Sequence, residues 1–315
     1  MTANASPAHA VTASHNSELD CKSPSKSTTW RDYFSLTKPT ITMLVAVTVV
    51  PGVIMASPNT VNTTIWLCAI LGASLMSASA AVLNQVLETS TDQIMDRTQH
   101  RAVAHGRTSK YGALRFAAYL AAAGMLCLIL GTTLMAAFIA LCGHLFYVCV
   151  YTMYLKPMTP QNIVIGGASG AVGPLIGWAA IDPWLGWPAW AMFLIIFLWT
   201  PPHFWALALV YKREYARAGI PMYPIAYGDV ATKKAMFKYS LCLFPFVVSL
   251  YLYSDVGLIY LIPSLLASTK FSWDAWKLAL TQDSEKYMNY FHYSCIHVLI
   301  LFGALTTNLV LFPGY

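Results

Sequence analysis

The stretch Thr63-Thr-Ile-Trp-Leu-Cys-Ala-Ile-Leu-Gly-Ala-Ser-Leu-Met-Ser-Ala-Ser-Ala-Ala-Val-Leu-Asn84-Gln-Val-Leu-Glu88-Thr-Ser-Thr-Asp92-Gln-Ile-Met-Asp96-Arg97-Thr98 runs almost wholly apolar to Leu87, then turns acidic at a spacing of four. An apolar run of that length crosses the hydrocarbon core of a bilayer as one helix. Continued as a helix, each four-residue step rises about 6 Å and drifts about 40° around the axis. Asn84, Glu88, Asp92 and Asp96 are then expected to form one ladder of oxygen side chains on a single face. Like charges at that spacing destabilise a helix by a few tenths of a kcal/mol per pair. A chain with only 13 acidic residues gains nothing by stacking three of them unless a cation binds there. Hard divalent ions such as Mg²⁺ favour oxygen ligands of this kind, and in enzymes they bridge carboxylates to substrate phosphates. The alternative is a solvated, charged span end. Against it stands Asn84, which lies inside the apolar run, where a polar side chain is costly and by default functional.

The rest of the chain extends the membrane reading. Of its 315 residues 57% are hydrophobic and 10% charged, far from the quarter that soluble domains carry, and the mean hydropathy is +0.55. Nine candidate spans lie at 40–57, 63–87, 113–133, 135–154, 162–181, 187–210, 238–254, 256–269 and 293–312. The fold class expected is therefore all-α: a polytopic membrane protein with nine transmembrane helices. With nine spans, all 19 Lys and Arg fall on one side, with Arg115 at a span boundary, and the opposite loops carry only Asp182 and Asp255. By the positive-inside rule the basic side is cytoplasmic, and the N-terminus and the loop holding the ladder are there too. A miscount by one span would put basic residues on both sides.

Residues 1–29, polar and rich in Ser, Thr and Ala, are expected to be a disordered cytoplasmic tail, leaving 30–315 as one membrane-embedded domain. They lack the Arg content of a transit peptide and the apolar stretch of a secretory signal. Six of the seven cysteines fall within spans, with no CxxC pair or zinc spacing, and read as packing thiols.

Two cytoplasmic loops mix carboxylates with guanidinium groups. One, 88–112, carries the ladder and then Arg97, Arg101 and Arg107; the other, 211–236, carries Lys212, Arg213, Glu214, Tyr215 and Arg217. A diphosphate leaving group needs that pairing, because carboxylates hold the metal while Arg or Lys donate to phosphate oxygens. Orientation of the spans is the competing explanation for the second loop's basic residues. In 162–181, Gly166/Gly170 and Gly173/Gly177 sit four apart, a spacing that lets helix backbones approach; a flat wall for a planar or prenyl ligand is the alternative. In 187–210, Pro201-Pro202 is expected to break or kink the helix beside His203. His203 is then either a site residue or a histidine satisfied by a nearby carbonyl. His144, His292 and His297 carry weaker versions of the same signal. The 10 Trp, 18 Tyr and 14 Phe form interfacial belts in part, and some are placed to shield a carbocation.

The motif Asn-xxx-Glu-xxx-Asp-xxx-Asp-Arg-Thr at 84–98 resembles the first Asp-rich motif of the UbiA superfamily of intramembrane prenyltransferases. Three further stretches narrow the resemblance to the branch that farnesylates haem: Tyr151-Thr-Met-Tyr-Leu-Lys156 to Asn162, Phe197-Leu-Trp-Thr-Pro-Pro-His-Phe-Trp-Ala-Leu-Ala208, and Glu214-Tyr-Ala-Arg-Ala-Gly-Ile-Pro-Met222. The resemblance covers roughly 30–312. It implies a nine-helix bundle around a central cavity, with haem B and farnesyl diphosphate as substrates and Mg²⁺ as cofactor. The implied reaction joins farnesyl to the haem 2-vinyl carbon, adds water to the adjacent carbon and releases diphosphate, in the bacterial inner membrane and for respiratory-oxidase assembly. Haem A synthase or oxidase assembly proteins are the implied partners, and no nucleic acid is expected. Carried over residue by residue, Asn84, Glu88 and Asp92 fall on the metal–diphosphate motif, which Asp96 and Arg97 extend. Lys156, Glu214 and Tyr215 complete the implied catalytic set, while Arg101, Arg107, Lys212, Arg217 and His203 are the implied substrate-binding residues.

The chain departs from the superfamily pattern in two places that bear on chemistry. Glu88 stands where Asp is usual, with a longer reach. The second loop lacks the Asp-xxx-Asp of other members, with Glu214 the only carboxylate in 211–228, so Lys212 and Arg217 are expected to take over part of the phosphate binding. That missing pair argues against the nearest rival, a prenyltransferase for quinone precursors or other aromatic acceptors. A secondary transporter would favour mid-membrane acids and inverted repeats. A haem chaperone built on His203 would not need the ladder.

Overall fold

A computed structural model describes residues 28–56, 62–280 and 283–312, and every regular element among them is helical. The chain enters through a short helix, α1 (Trp30–Leu36), and then α2 (Pro39–Ala56), α3 (Thr63–Leu87) and the one-and-a-half-turn α4 (Thr89–Ile94). After an irregular loop come α5 (Lys110–Gly131) and α6 (Leu134–Leu145), which continues as a π-helix over Phe146–Leu155 and ends in the single turn α7 (Lys156–Met158). Two half-length helices, α8 (Asn162–Gly170) and α9 (Gly173–Ala179), together make one crossing, and α10 (Trp187–Val210) makes the next. Short α11 (Lys212–Arg217) and α12 (Tyr223–Ala226) lead to α13 (Gly228–Leu241), α14 (Phe244–Tyr253), α15 (Leu258–Leu278) and α16 (Ser284–Leu311).

Local chemistry sets the helix starts. Asn62, Ser109 and Thr133 each accept from a backbone N–H of the first turn of α3, α5 and α6. Thr29 and Asp32 form a reciprocal capping box on α1, and Thr28 Oγ1 donates to Arg107 O at 2.8 Å. Thr28 and Thr29 are thereby tied to the helical domain; residues 1–27 of the expected tail lie outside the described residues.

Eight helical segments among the described residues are long and apolar enough to cross a membrane. They coincide with eight of the nine expected spans. The remaining one, expected at 256–269, is α15, whose 21 residues give about 31 Å of helix but whose second half carries Lys270, Asp274 and Lys277. Two segments run beyond their apolar cores, to Gly228 and Ser284 rather than 238 and 293. Helix propensity does not stop at the edge of hydropathy, and the exposed Lys234, Glu285 and Lys286 extend these helices toward water.

Two other departures are local. The expected break at Pro201-Pro202 is absent: α10 runs unbroken through both prolines. Packed against α8, α14 and α16, it remains one continuous helix through both. The span expected at 135–154 changes to π geometry for ten residues, with Thr152 Oγ1 donating to Tyr147 O at 2.9 Å. Such i→i+5 turns often mark functional sites.

Close packing relies on small residues. A Cβ added at Gly177 would strike the Val49 carbonyl of α2, and one at Gly52 would strike the Pro174 carbonyl of α9. At 173–177 the glycine spacing thus serves helix packing. Gly166 receives the Tyr151 ring, whereas Gly170 borders a cavity.

Candidate active site

α3 ends at Leu87, yet its register survives the junction with α4. Glu88 N–H donates to Asn84 O at 2.9 Å, and Asp92 N–H donates to Glu88 O at 2.8 Å. Asn84, Glu88 and Asp92 therefore keep the four-residue step, and all are buried, at 2%, 7% and 3% exposure. The ladder stops there. Met95 is extended (φ −91°, ψ 124°), so the helix ends at Ile94 and Asp96 leaves the face, its side chain 66% exposed. The expected fourth rung is instead an exposed ion pair with Arg217 Nη2 at 2.8 Å.

Each buried rung has a cation. Lys38 Nζ donates to Asn84 Oδ1 at 2.8 Å, Lys156 Nζ to Glu88 Oε1 at 2.5 Å, and Arg101 Nη1 to both Asp92 oxygens at 2.8 Å. Asn84 Nδ2 in turn donates to Thr152 Oγ1 at 3.2 Å, tying the ladder to the π-helix. Burial pushes the Glu88 carboxyl up, but Lys156, Lys38 and Arg101 together more than offset this and hold it below its usual range. Burial pulls the Lys38 ammonium down to about 7, with Arg101 and Lys156 pulling the same way and Glu88 and Asp92 opposing. With Lys38 protonated, three cations face two carboxylates and leave the cluster one positive charge in excess, a setting that suits a polyanion.

The sequence gives Lys38 no role beyond its place among the 19 basic residues on one side. Its partner lies 46 residues away, so no spacing rule could join them. A local signal did exist in the Lys38-Pro39 break between α1 and α2, where Lys38 takes φ 49°, a left-handed conformation rare for a side-chain-bearing residue.

The second loop closes over the first. Glu214 Oε2 accepts from the Arg97 N–H at 3.2 Å, Arg97 Nη2 donates to Tyr215 Oη at 3.3 Å, and the Arg97 guanidinium lies 5.3 Å from the Tyr211 ring centre. Arg97 Nε is buried without a hydrogen-bond partner. Lys212 and Arg217, expected on phosphate, are not among the buried cations: Lys212 pairs with Asp229 at 2.6 Å and Arg217 with Asp96. Arg107 is also drawn off, to Asp32 at 2.9 Å and the His100 carbonyl at 2.9 Å, where it pins the loop to α1. These three long side chains follow the nearest acceptor at the solvent rim.

Below Lys38 a narrow cavity of about 110 Å³ runs between α2, α3, α6, α8 and α9, past Ala80, Met76, Tyr147 and Gly170. It is apolar and suits a chain better than a macrocycle. His144 borders it and donates from Nδ1 to the Met76 carbonyl at 3.2 Å. His203 lies in another part of the bundle, stacked between Trp199 and Phe291 with centroids 4.3 and 4.6 Å away. The Ser294 hydroxyl donates to the Phe291 carbonyl, so it accepts from His203 Nδ1–H at 2.5 Å and leaves the lone pair on Nε2. A serine on α16, and not a carbonyl, satisfies this histidine.

No three His, Cys, Asp or Glu side chains among the described residues are grouped to hold a metal by themselves. The donor set nevertheless fits Mg²⁺: two carboxylates and an amide oxygen, all hard, with a metal shell left for phosphate oxygens to complete. The orphaned Arg97 Nε fits an anion arriving at the same mouth.

A helical membrane bundle with a buried acid–base ladder at one end of a narrow apolar cavity is the architecture of intramembrane prenyl transfer. The chain belongs to the UbiA prenyltransferase family, whose profile matches residues 45–296. It is 41% identical to protoheme IX farnesyltransferase 2 of Pseudoalteromonas atlantica, covering 89% of this chain and 92% of that protein. It is 42% identical to protoheme IX farnesyltransferase of Ectopseudomonas mendocina, covering 90% and 95%. Among solved structures, a digeranylgeranylglyceryl phosphate synthase superposes with a TM-score of 0.74 at 18% identity, over 89% of this chain and 98% of that one. A UbiA homolog from Archaeoglobus fulgidus, bound to GPP and Mg²⁺, superposes at 0.61 and 13%, over 87% and 99%. These two establish the shared fold.

Proposed function

We propose that this chain transfers the farnesyl group of farnesyl diphosphate to the 2-vinyl group of haem B, with addition of water, to give haem O for respiratory-oxidase assembly. The observation that carries the reading is the buried row Asn84, Glu88 and Asp92, each faced by its own cation. The acceptor comes from the relatives named protoheme IX farnesyltransferase, which match over about nine-tenths of the chain.

Glu88, Asp92 and Asn84 would hold Mg²⁺, which when bound neutralises diphosphate and improves it as a leaving group. Lys38, Lys156 and Arg101, now spent on the ladder's own oxygens, would turn to phosphate oxygens as the metal takes their places. Arg97 would add its unused Nε. These groups stabilise charge that grows on diphosphate as the allylic C1–O bond breaks. The apolar cavity below Lys38 orients the isoprenoid chain and keeps water away from C1 until the electron-rich vinyl carbon attacks. The resulting porphyrin-stabilised cation is then captured by water, which loses a proton. His203, whose hydrogen bond to Ser294 leaves the Nε2 lone pair available, would contact haem from its own part of the bundle, apart from the ladder. Mg²⁺ dependence, the inner membrane of a bacterium, and a cytoplasmic N-terminus and active-site face are parts of the same proposal.

The test is to incubate the purified protein with haem B, farnesyl diphosphate and Mg²⁺ and weigh the product. A farnesylated hydroxyethyl haem supports the reading. Transfer only to a quinone precursor or another aromatic acceptor would replace the acceptor, and no transfer at all would remove the activity.

A further inference from the structure

On the far side of α3 from the ladder's cavity lies a second hollow, a crevice of about 750 Å³ between α1, α3 and α5. Three helical stripes converge on it. Trp30, Tyr33 and Phe34 come from α1, and Arg115, Phe116 and Tyr119 from α5. Their tips are open to the surroundings: Trp30 is 71%, Phe34 55% and Tyr119 66% exposed. Ser74, Leu75 and Ala78 form the floor, whereas Ala73, Met76, Ser77 and Ala80 of the same helix line the ladder's cavity. A molecule in the crevice is therefore separated from the reacting atoms by the body of α3, which argues against either substrate as its occupant.

The charge at the crevice is the second observation. Arg97, Arg101 and Arg107 all bond to acceptors within the protein. Arg115 pairs with no carboxylate among the described residues, and its guanidinium lies only 5.8 Å from the Tyr111 ring centre. Arg31, next to Trp30, is placed the same way over that ring at 5.8 Å. The guanidinium of Arg115, without a carboxylate partner among the described residues, thus lines an apolar, aromatic-walled groove at the bundle end bearing the basic residues, and that of Arg31 lies beside its Trp30 wall. Residues 1–27 offer no apolar run that could fill such a groove.

We propose that the crevice holds one anionic phospholipid of the surrounding leaflet, its phosphate on Arg115 with Arg31 beside it and an acyl chain along Leu75, Phe116 and Tyr119. Aromatic belts and arginines at headgroup depth provide the recognition. The lipid would bridge α1 to α5, and through Asp32 and Arg107 would steady the loop that presents Arg101 to Asp92.

Native mass spectrometry on the full chain in bilayer discs tests this, with phosphatidylglycerol and phosphatidylcholine as probes. The expectation is one phosphatidylglycerol retained in preference to phosphatidylcholine. Arg115→Gln should weaken that preference about fivefold, the worth of one arginine at an anionic surface. Arg115→Lys should largely keep it, and Ser74→Phe, which fills the groove, should abolish retention even of the neutral lipid. Equal retention of the two lipids, or an unchanged preference in Arg115→Gln, would overturn the proposal. So would displacement of the lipid by haem B, which would make the crevice an acceptor site.

Discussion

A lysine in front of a membrane span usually turns its ammonium toward water and headgroups; Lys38 turns inward to Asn84. The strained backbone at φ 49° is held by what surrounds it, since a left-handed non-glycine residue costs about 1–2 kcal/mol. We expect Lys38→Met to raise KM for farnesyl diphosphate roughly tenfold or more, the worth of a hydrogen bond to a charged group. Steady-state kinetics at saturating haem would measure it; an unchanged KM would make Lys38 a purely structural cation. The contrast with Glu88 and Asp92 explains what could be read in advance. Their alignment follows from a spacing of four on one helix, which a sequence displays directly. Asp96 looked equivalent, but whether a helix reaches the fourth rung depends on Met95 and on Arg217 from a distant loop. The partners of Lys212, Arg217 and Arg107 (Asp229, Asp96 and Asp32) were not legible for the same reason: they are set by tertiary geometry.

At the scale of elements, α1 shows how a surface pair holds the site's frame. Hydrogen bonds from Arg107 and from Thr29 hold the Asp32 carboxyl at about 2, below its ordinary 3.8. Because the folded value is depressed, the pair's contribution is present above the ordinary value and lost as pH falls through the folded one. The melting-temperature gap between wild type and Asp32→Asn should thus stay constant from neutral pH to about 4 and close toward pH 2. A gap that widens on acidification would contradict the assignment. The α2–α9 crossing makes a simpler prediction. Gly177→Val drives a side chain into the Val49 carbonyl and should destabilise the fold by about 1–3 kcal/mol, read as a lower melting temperature in detergent. Span positions were legible because hydropathy states them outright. The π-helix was not, since no residue type marks it, and α10's continuity through Pro201 and Pro202 depends on its packed neighbours.

For the whole molecule, charge asymmetry makes the topology testable. Cysteines introduced at Ser109 and Ala231 should react with a membrane-impermeant reagent only in inverted vesicles, and one at Asp182 only in intact cells. Labelling of Ser109 and Asp182 from the same side would break the three crossings placed between them. At the cytoplasmic mouth of the bundle the buried row Asn84, Glu88 and Asp92 is expected to grip diphosphate through magnesium. The most direct measurement is farnesyl diphosphate binding to purified wild type and to Glu88→Gln/Asp92→Asn, each with and without Mg²⁺. Wild type should bind more tightly with the metal, by tenfold or more, about 1.4 kcal/mol, and the folded double variant should lose that increment. Equal tightening by Mg²⁺ in both proteins would contradict the account.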